Sequence, residues 1–324
     1  MIKTVVATDL PVDEEWRVRK NVLTGGTGKK RICIVTGTHG DELEGQYVCY
    51  RLNRIVAEHP ERLDGTLEIY PALNPLGIDS ITRGIPGFDL DMNRIFPGSE
   101  EGTVTEQLVH RLMDDLQGAD MVVDIHSSNI FLREIPQVRI NVNMAGQLVP
   151  FAQWLKMDFI WIHEAATVLE STLAHSLNSL GTPTLVVEMG VGMRINHGYG
   201  ERLVAGILHL MYRMGIWREM PDLSCSPQDS VVSAIGGVEF LNAEASGVFL
   251  TENRNNHIVE PGEEIGCVVS PLTGEVLQRV TAPVKGLLFT LRAYPVVYEG
   301  SLLARIYRSD GNQQQVELKE ESKR

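Results

Sequence analysis

The sequence predicts an α/β fold: a mixed, mainly parallel sheet with helices on both faces, followed by a small all-β region. Three observations predict it. From about residue 31 to residue 217, short apolar runs alternate with longer amphipathic stretches, the pattern of buried strands joined by helices. Several of these runs end on an ionisable residue, and in open α/β sheets ligands gather at the carboxyl ends of strands. Beyond about residue 230 no stretch of helical period recurs, and β-type segments broken by glycine take over.

The elements follow in order. "RICIVTGTH" (31–39) reads as a strand, "EGQYVCYRLNRIVAEH" (44–59) as a helix and "GTLEIYPALNP" (65–75) as a strand. "TVTEQLVHRLMDDLQ" (103–117) is a helix whose start is marked by Thr103 and Glu106 at capping-box spacing. "ADMVVDIHSS" (119–128), "DFIWIHE" (158–164) and "TPTLVVEMG" (182–190) are strands. "AGQLVPFAQWLKM" (145–157), "STLAHSLNSLG" (171–181) and "GERLVAGILHLMYRMGIW" (200–217) are helices. "REMPDLSCSPQDS" (218–230) has the proline and serine content of a linker. These readings place one region at 1–220, an all-β region at 230–310 and a charged, frayed tail at 311–324. The segment before residue 31 is expected to be an added edge strand or an intersubunit arm, so a homo-oligomer stays open.

Composition narrows the function. The 324 residues are 43% hydrophobic and 22% charged, ordinary for a globular chain. A net charge of −13 argues against binding to nucleic acid or an anionic membrane, since both need a basic field. Cys33, Cys49, Cys225 and Cys267 are too far apart for a zinc knuckle or a disulfide framework and read as reduced thiols. No leader-like segment or run of transmembrane length is seen, so a cytoplasmic location is expected. "GGTGKKR" (25–31) is not a phosphate loop: Leu23 stands where the first glycine should be, Lys30 where the Ser or Thr should be, and the stretch precedes its strand.

"GTHGDELEG" (37–45) crowds a histidine and acids into a glycine-flanked turn behind a strand. Asp41 and Glu42 have a plain reading as helix-capping acids. The sharper reading makes His39 and Glu42 two ligands of a metal ion, with His126 of "VDIHSS" as the third. Two nitrogens and a carboxylate, with one position left to water, is the donor set of catalytic zinc. Asp124, two residues before His126 in the same strand, points to the same side and can orient an imidazole. Glu188 closes a third strand, "LVVE".

The order of motifs, H-x-x-E at 39–42, "DLDMNRIFPG" at 89–98, "DIHSS" at 124–128 and "VVEMG" at 186–190, resembles the succinylglutamate desuccinylase and aspartoacylase family, a branch of the zinc carboxypeptidase-like superfamily. The resemblance implies one Zn2+ per chain on His39, Glu42 and His126, with Glu188 as general base. Asn93 and Arg94 would hold a substrate carboxylate. Arg83 would polarise the scissile carbonyl or bind substrate, although its spacing to Asn93 is stretched. The implied activity is hydrolysis of a small N-acyl amino acid. A peptide metallocarboxypeptidase and a non-catalytic metal-binding scaffold are the competing readings.

The remaining histidines, His59, His110, His175, His209 and His257, are not expected to bind metal, whereas His163, His197 and Arg194 are conceivable substrate contacts. The C-terminal region resembles the barrel-sandwich hybrid of lipoyl and biotinyl carriers. Its hairpin "SPLTGEV" lacks the carrier lysine, which favours a lid or specificity wall. Tyr294 and Tyr298 are the tyrosines from that region weighed for the site, with a core or interface position preferred.

Overall fold

The computed structural model describes residues 1–11, 13–164, 170–233 and 235–308; the expected tail at 311–324 lies outside them. A hairpin, β1 (Ile2–Leu10) and β2 (Glu14–Gly25), opens the chain. It is followed by β3 (Arg31–Thr36), α1 (Glu44–Glu58), β4 (Gly65–Tyr70), α2 (Pro75–Ser80), α3 (Val104–Leu116), β5 (Met121–Ser127) and β6 (Leu132–Asn141). Next come α4 (Ala145–Trp154), β7 (Phe159–His163), α5 (Leu173–Ser179), β8 (Thr184–Gly190) and α6 (His197–Met214). The last part is all β: β9 (Val231–Val232), β10 (Val238–Asn242), β11 (Gly247–Leu250), β12 (His257–Val259), β13 (Glu264–Val269), β14 (Val276–Thr281), β15 (Gly286–Arg292), β16 (Val296–Val297) and β17 (Leu302–Arg308).

Four parallel strands, in the order β4-β3-β5-β8, form the centre of a mixed sheet. Pleating sorts their side chains by face. Ile32, Ile34, Val123, Ile125, Leu185 and Val187 pack with Leu52 of α1, Leu148 of α4 and Ile207 of α6. Cys33, Val35 and Val122 pack on the other face with Leu108 and Leu112 of α3 and Leu173 and Leu177 of α5. Each such aliphatic side chain contributes roughly 1.5–3 kcal/mol on burial. Helices cover both faces, as the unbroken apolar strands require. The capping box forms: Thr103 N–H donates to Glu106 at 2.7 Å, and Thr103 Oγ1 accepts from Glu106 N–H at 3.4 Å.

The N-terminal segment is an edge hairpin, with β2 antiparallel to β4. Val6, Trp16 and Val18 are buried in the same cluster as α3. Lys20 is held between Glu68 and Asp115 at 3.0 and 2.7 Å. The "GGTGKKR" stretch is a loop whose Thr27 and Gly28 N–H groups donate to Asp64, so an acid of this chain takes those donors.

The strand β6 is absent from the sequence-based reading. It pairs antiparallel with β8 on one edge. Its other edge is shared: Leu132–Glu134 pair with β15 and Gln137–Asn141 pair with β7. The sheet therefore runs without a break from the N-terminal hairpin through β6 into β15, β17 and β10. A second, four-stranded sheet, β14-β13-β11-β16, completes the C-terminal region. Among the described residues no helix is long and apolar enough to cross a membrane, and all four cysteines are free.

Candidate active site

Three strand ends and two loops build the site. After β3 the chain turns on Gly37, whose φ of +69° favours glycine. Gly40 has no room for a Cβ, which would lie 2.0 Å from the backbone of Gly77 in α2. This close approach sets His39 and Glu42 inward. The acids do not cap α1, contrary to the plain reading: Leu43 is its N-cap residue, with no side-chain bond. Glu42 turns to the imidazoles, and Asp41 is largely buried.

His39, Glu42 and His126 converge, with one ligand atom from each within 4.8 Å of the others. Glu42 Oε1 lies 2.9 Å from His39 Nδ1, and Oε2 lies 2.9 Å from His126 Nδ1. The backbone N–H of Ser127 also donates to Oε2, at 3.2 Å. The two ring Nε2 atoms face outward onto carboxylates: His39 on Asp91 at 3.0 Å and His126 on Asp124 at 3.2 Å. Each carboxylate orients its ring so that Nδ1 points inward.

This donor set fits a divalent cation. His39 Nδ1 is buried and makes no hydrogen bond, despite its closeness to Glu42. Three carboxylates surround two imidazoles, an excess of negative charge that a divalent ion offsets. The close pairing of carboxylates with imidazoles shifts the titrations. Burial disfavours ionised Glu42, but His39 and His126 outweigh it and hold the carboxyl well below its ordinary range. Burial likewise opposes charge on His126, yet Asp124 and Glu42 raise it well above the usual imidazole value.

Glu188, two residues before the end of β8, stands directly opposite His126 of β5 in the parallel register. Burial pushes its carboxyl up to about 7 despite the nearby Arg139 guanidinium. A carboxylate poised near neutrality suits proton transfer at physiological pH. Arg83 Nη1 donates to Glu42 at 2.9 Å, and its Nε lies 3.4 Å from Asp91, so the stretched spacing still delivers it to the cluster of His39, Glu42 and His126.

Asn93 and Arg94 line the same cavity, of about 750 Å³, within the range of small-molecule sites. Asn93 is buried and accepts from the N–H of Leu173 at 3.0 Å, which ties the loop to α5. Arg94 is exposed and has no carboxylate partner among the described residues; its Nη1 donates to the carbonyl of Asn93 at 2.7 Å.

The other candidates separate. His163 lines the cavity, and burial lowers it to about 4, so it is neutral near pH 7. His175 also lines the cavity and stands outside the cluster of His39, Glu42 and His126. His197 stacks on Tyr47 with ring centres 4.8 Å apart, and neither it nor Arg194 lines the cavity. Tyr294 packs edge-on against Phe131, Tyr298 is exposed, and neither lines the cavity, so a core position holds for neither.

Sequence reasoning missed four charged residues. Asp91 lay inside a quoted motif, two residues before Asn93, without a role. Glu134 and Arg139 belong to the overlooked β6, and Arg305 to β17. The signal available was an apolar, strand-length run interrupted by Glu, Gln and Arg.

Comparison with known proteins agrees with this architecture. A family model described as the succinylglutamate desuccinylase/aspartoacylase catalytic domain matches residues 28–213. A curated relative, the N-alpha-acetyl-L-2,4-diaminobutyric acid deacetylase of Halomonas elongata, is 29% identical over 216 residues. That match covers 60% of this chain and 61% of the relative's length. Among solved structures, a succinylglutamate desuccinylase/aspartoacylase from Rhodobacter sphaeroides superposes with a TM-score of 0.80 at 21% identity, covering 95% of both chains. The product-bound ectoine utilization protein EutE (DoeB) from Ruegeria pomeroyi gives 0.75 at 22% identity, covering 91% of this chain and 90% of that one. The family match spans more than half of the sequence, and the chain belongs to the succinylglutamate desuccinylase/aspartoacylase family.

Proposed function

We propose that the chain is a zinc-dependent amidohydrolase that removes the acyl group from a small N-acyl amino acid. The observation that carries this reading is the inward convergence of His39 Nδ1, His126 Nδ1 and Glu42, with both outward ring nitrogens held by carboxylates. Zn2+ bound there would supply Lewis acidity toward the acyl carbonyl and activate water. The deacetylase activity of the Halomonas relative supports an acyl amino acid as substrate. The cavity, of about 750 Å³, suits a small molecule better than a long peptide.

The side chains divide the work. Arg94, exposed and without an acid partner among the described residues, takes the substrate carboxylate in a two-pronged grip, and Asn93 fixes the loop that presents it. Arg83 donates toward the carbonyl oxygen as it gains negative charge. Glu188 accepts a proton from water as the C–O bond forms and gives it to the amine nitrogen as the C–N bond breaks. The products are a carboxylate and a free amine.

Metal analysis combined with turnover of a panel of N-acyl amino acids tests the proposal. The wild-type protein is expected to hold one zinc per chain and to deacylate at least one member of the panel. Glu188→Gln is expected to keep the zinc and lose turnover. Unchanged turnover in that variant would remove Glu188 from the mechanism, and a protein that binds no zinc would remove the mechanism itself.

A further inference from the structure

Beside the metal-ligand cluster, on the floor of the same cavity, lies a second set of charges. Arg139 of β6 donates through Nη1 to Glu188 at 3.2 Å and through Nη2 to Glu134 at 2.5 Å. Glu134 is fully buried; its other oxygen accepts from Arg305 of β17 at 2.8 Å, and Gln137 adds a further donor. Strand register produces the alignment. Glu134 stands opposite Gly190 of β8 and Thr290 of β15, Thr290 stands opposite Arg305, and Gln137 stands opposite Glu188. Trp161 of β7 lies beneath both guanidinium groups, 5.3 Å from Arg139 and 5.2 Å from Arg305. Two guanidinium groups and two carboxylates balance, and only Glu188 of the four is assigned a chemical step.

We propose that Arg139 is a positioning residue for Glu188, and that Arg305 of the C-terminal β region fixes Arg139 by sharing Glu134. The argument is one of competition. Glu134 is a buried carboxylate, costly to leave partly paired, and with Arg305 present it has a second cation. Without Arg305, Glu134 draws Arg139 to itself and away from Glu188. The C-terminal region thus acts on the proton-transfer group through a chain of three ion pairs rather than by touching substrate. This inference rests on Glu188 being the general base.

The other charged groups facing Glu188 are Glu42 from the β3–α1 loop and His126 from β5. They are unchanged in the variants, so a shift between variants reports the arginines. The experiment measures the Glu188 titration in metal-free protein by ¹³C NMR of the glutamate carboxyl carbons, assigned by the signal lost in Glu188→Gln. Arg139→Met is expected to raise the Glu188 titration by about one unit or more, because an adjacent cation favours the ionised form. Arg305→Met is expected to shift it the same way by a smaller amount, Arg305→Lys to restore most of it, and the double variant to match Arg139→Met alone.

In zinc-loaded protein, the Met variants are expected to lower kcat about tenfold at unchanged KM. An unmoved Glu188 titration in Arg139→Met would overturn the assignment. A raised KM with unchanged kcat in Arg305→Met would show that Arg305 binds substrate directly. If Arg139→Met fails to fold, Arg139→Lys and Arg305→Met carry the test, with a smaller shift in the same direction required. The NMR readout needs no turnover, so a wrong substrate class and a wrong arginine assignment give different results.

Discussion

The two outward carboxylates make a quantitative prediction about metal affinity. Asp124→Asn and Asp91→Asn each keep the side chain's shape and a carbonyl acceptor but remove the charge behind one imidazole. Loss of such a partner costs about 10- to 100-fold in metal affinity, or about 1.4–2.7 kcal/mol. The structure ranks the two. The Asp124 side chain is 1% exposed, whereas that of Asp91 is 25% exposed and also lies 3.4 Å from the Arg83 guanidinium. Water and Arg83 already weaken the field of Asp91, so Asp91→Asn falls near tenfold and Asp124→Asn near a hundredfold. Zinc affinity is read by competition with a chromophoric chelator at pH 7.5, with circular dichroism as the check on folding. Affinities within twofold of wild type in both variants would refute the assignment of His39 and His126 as oriented ligands. A larger loss for Asp91 than for Asp124 would refute the screening argument.

Arg94→Lys is expected to raise KM about 10- to 100-fold with kcat nearly unchanged, because a point charge replaces a two-pronged donor; steady-state kinetics on the active substrate checks it. Since Glu188 must be ionised to accept a proton and burial raises it to about 7, kcat/KM is expected to rise with pH through that region, and a flat profile from pH 5 to 8 would contradict the role. The same shift has a cost in stability. A carboxyl whose folded pKa lies above its unfolded value penalises the folded state once it ionises. Glu188→Gln is therefore expected to unfold at a higher temperature than metal-free wild type at pH 8, with the advantage shrinking toward pH 4.5. Thr103→Ala removes one half of the capping box of α3 and is expected to cost about 1 kcal/mol in urea unfolding.

The strands that carry the candidate site were legible because burial on both faces leaves little choice of composition. After Arg31, "RICIVT" runs into the turn that carries His39; "MVVDIHS" is apolar until Asp124 and His126, and "TLVVEMG" is apolar from Leu185 until Glu188. The strand β6 escaped for the opposite reason: it carries Glu134, Gln137 and Arg139, with Pro136 among them, and Glu134 and Arg139 line the cavity. A strand that serves the site loses the pattern by which strands are found. Pairings between distant segments leave no local trace, so neither the junction of β6 with β15 nor the ion pair of Glu134 with Arg305 could be read from spacing. The His39–Asp91 contact is a milder case, since both residues lay in quoted motifs and only the fold shows that they meet.

The shared outer edge of β6 bears on how this chain can be cut or recombined. Ending it near residue 220 would strip the β15 partner from Leu132–Glu134, exposing amide and carbonyl groups to any passing strand. It would also leave a fully buried acid with one of its two arginines gone. Exchange of C-terminal segments between relatives faces the same constraint: the incoming piece must dock in register and bring a cation to the place of Arg305.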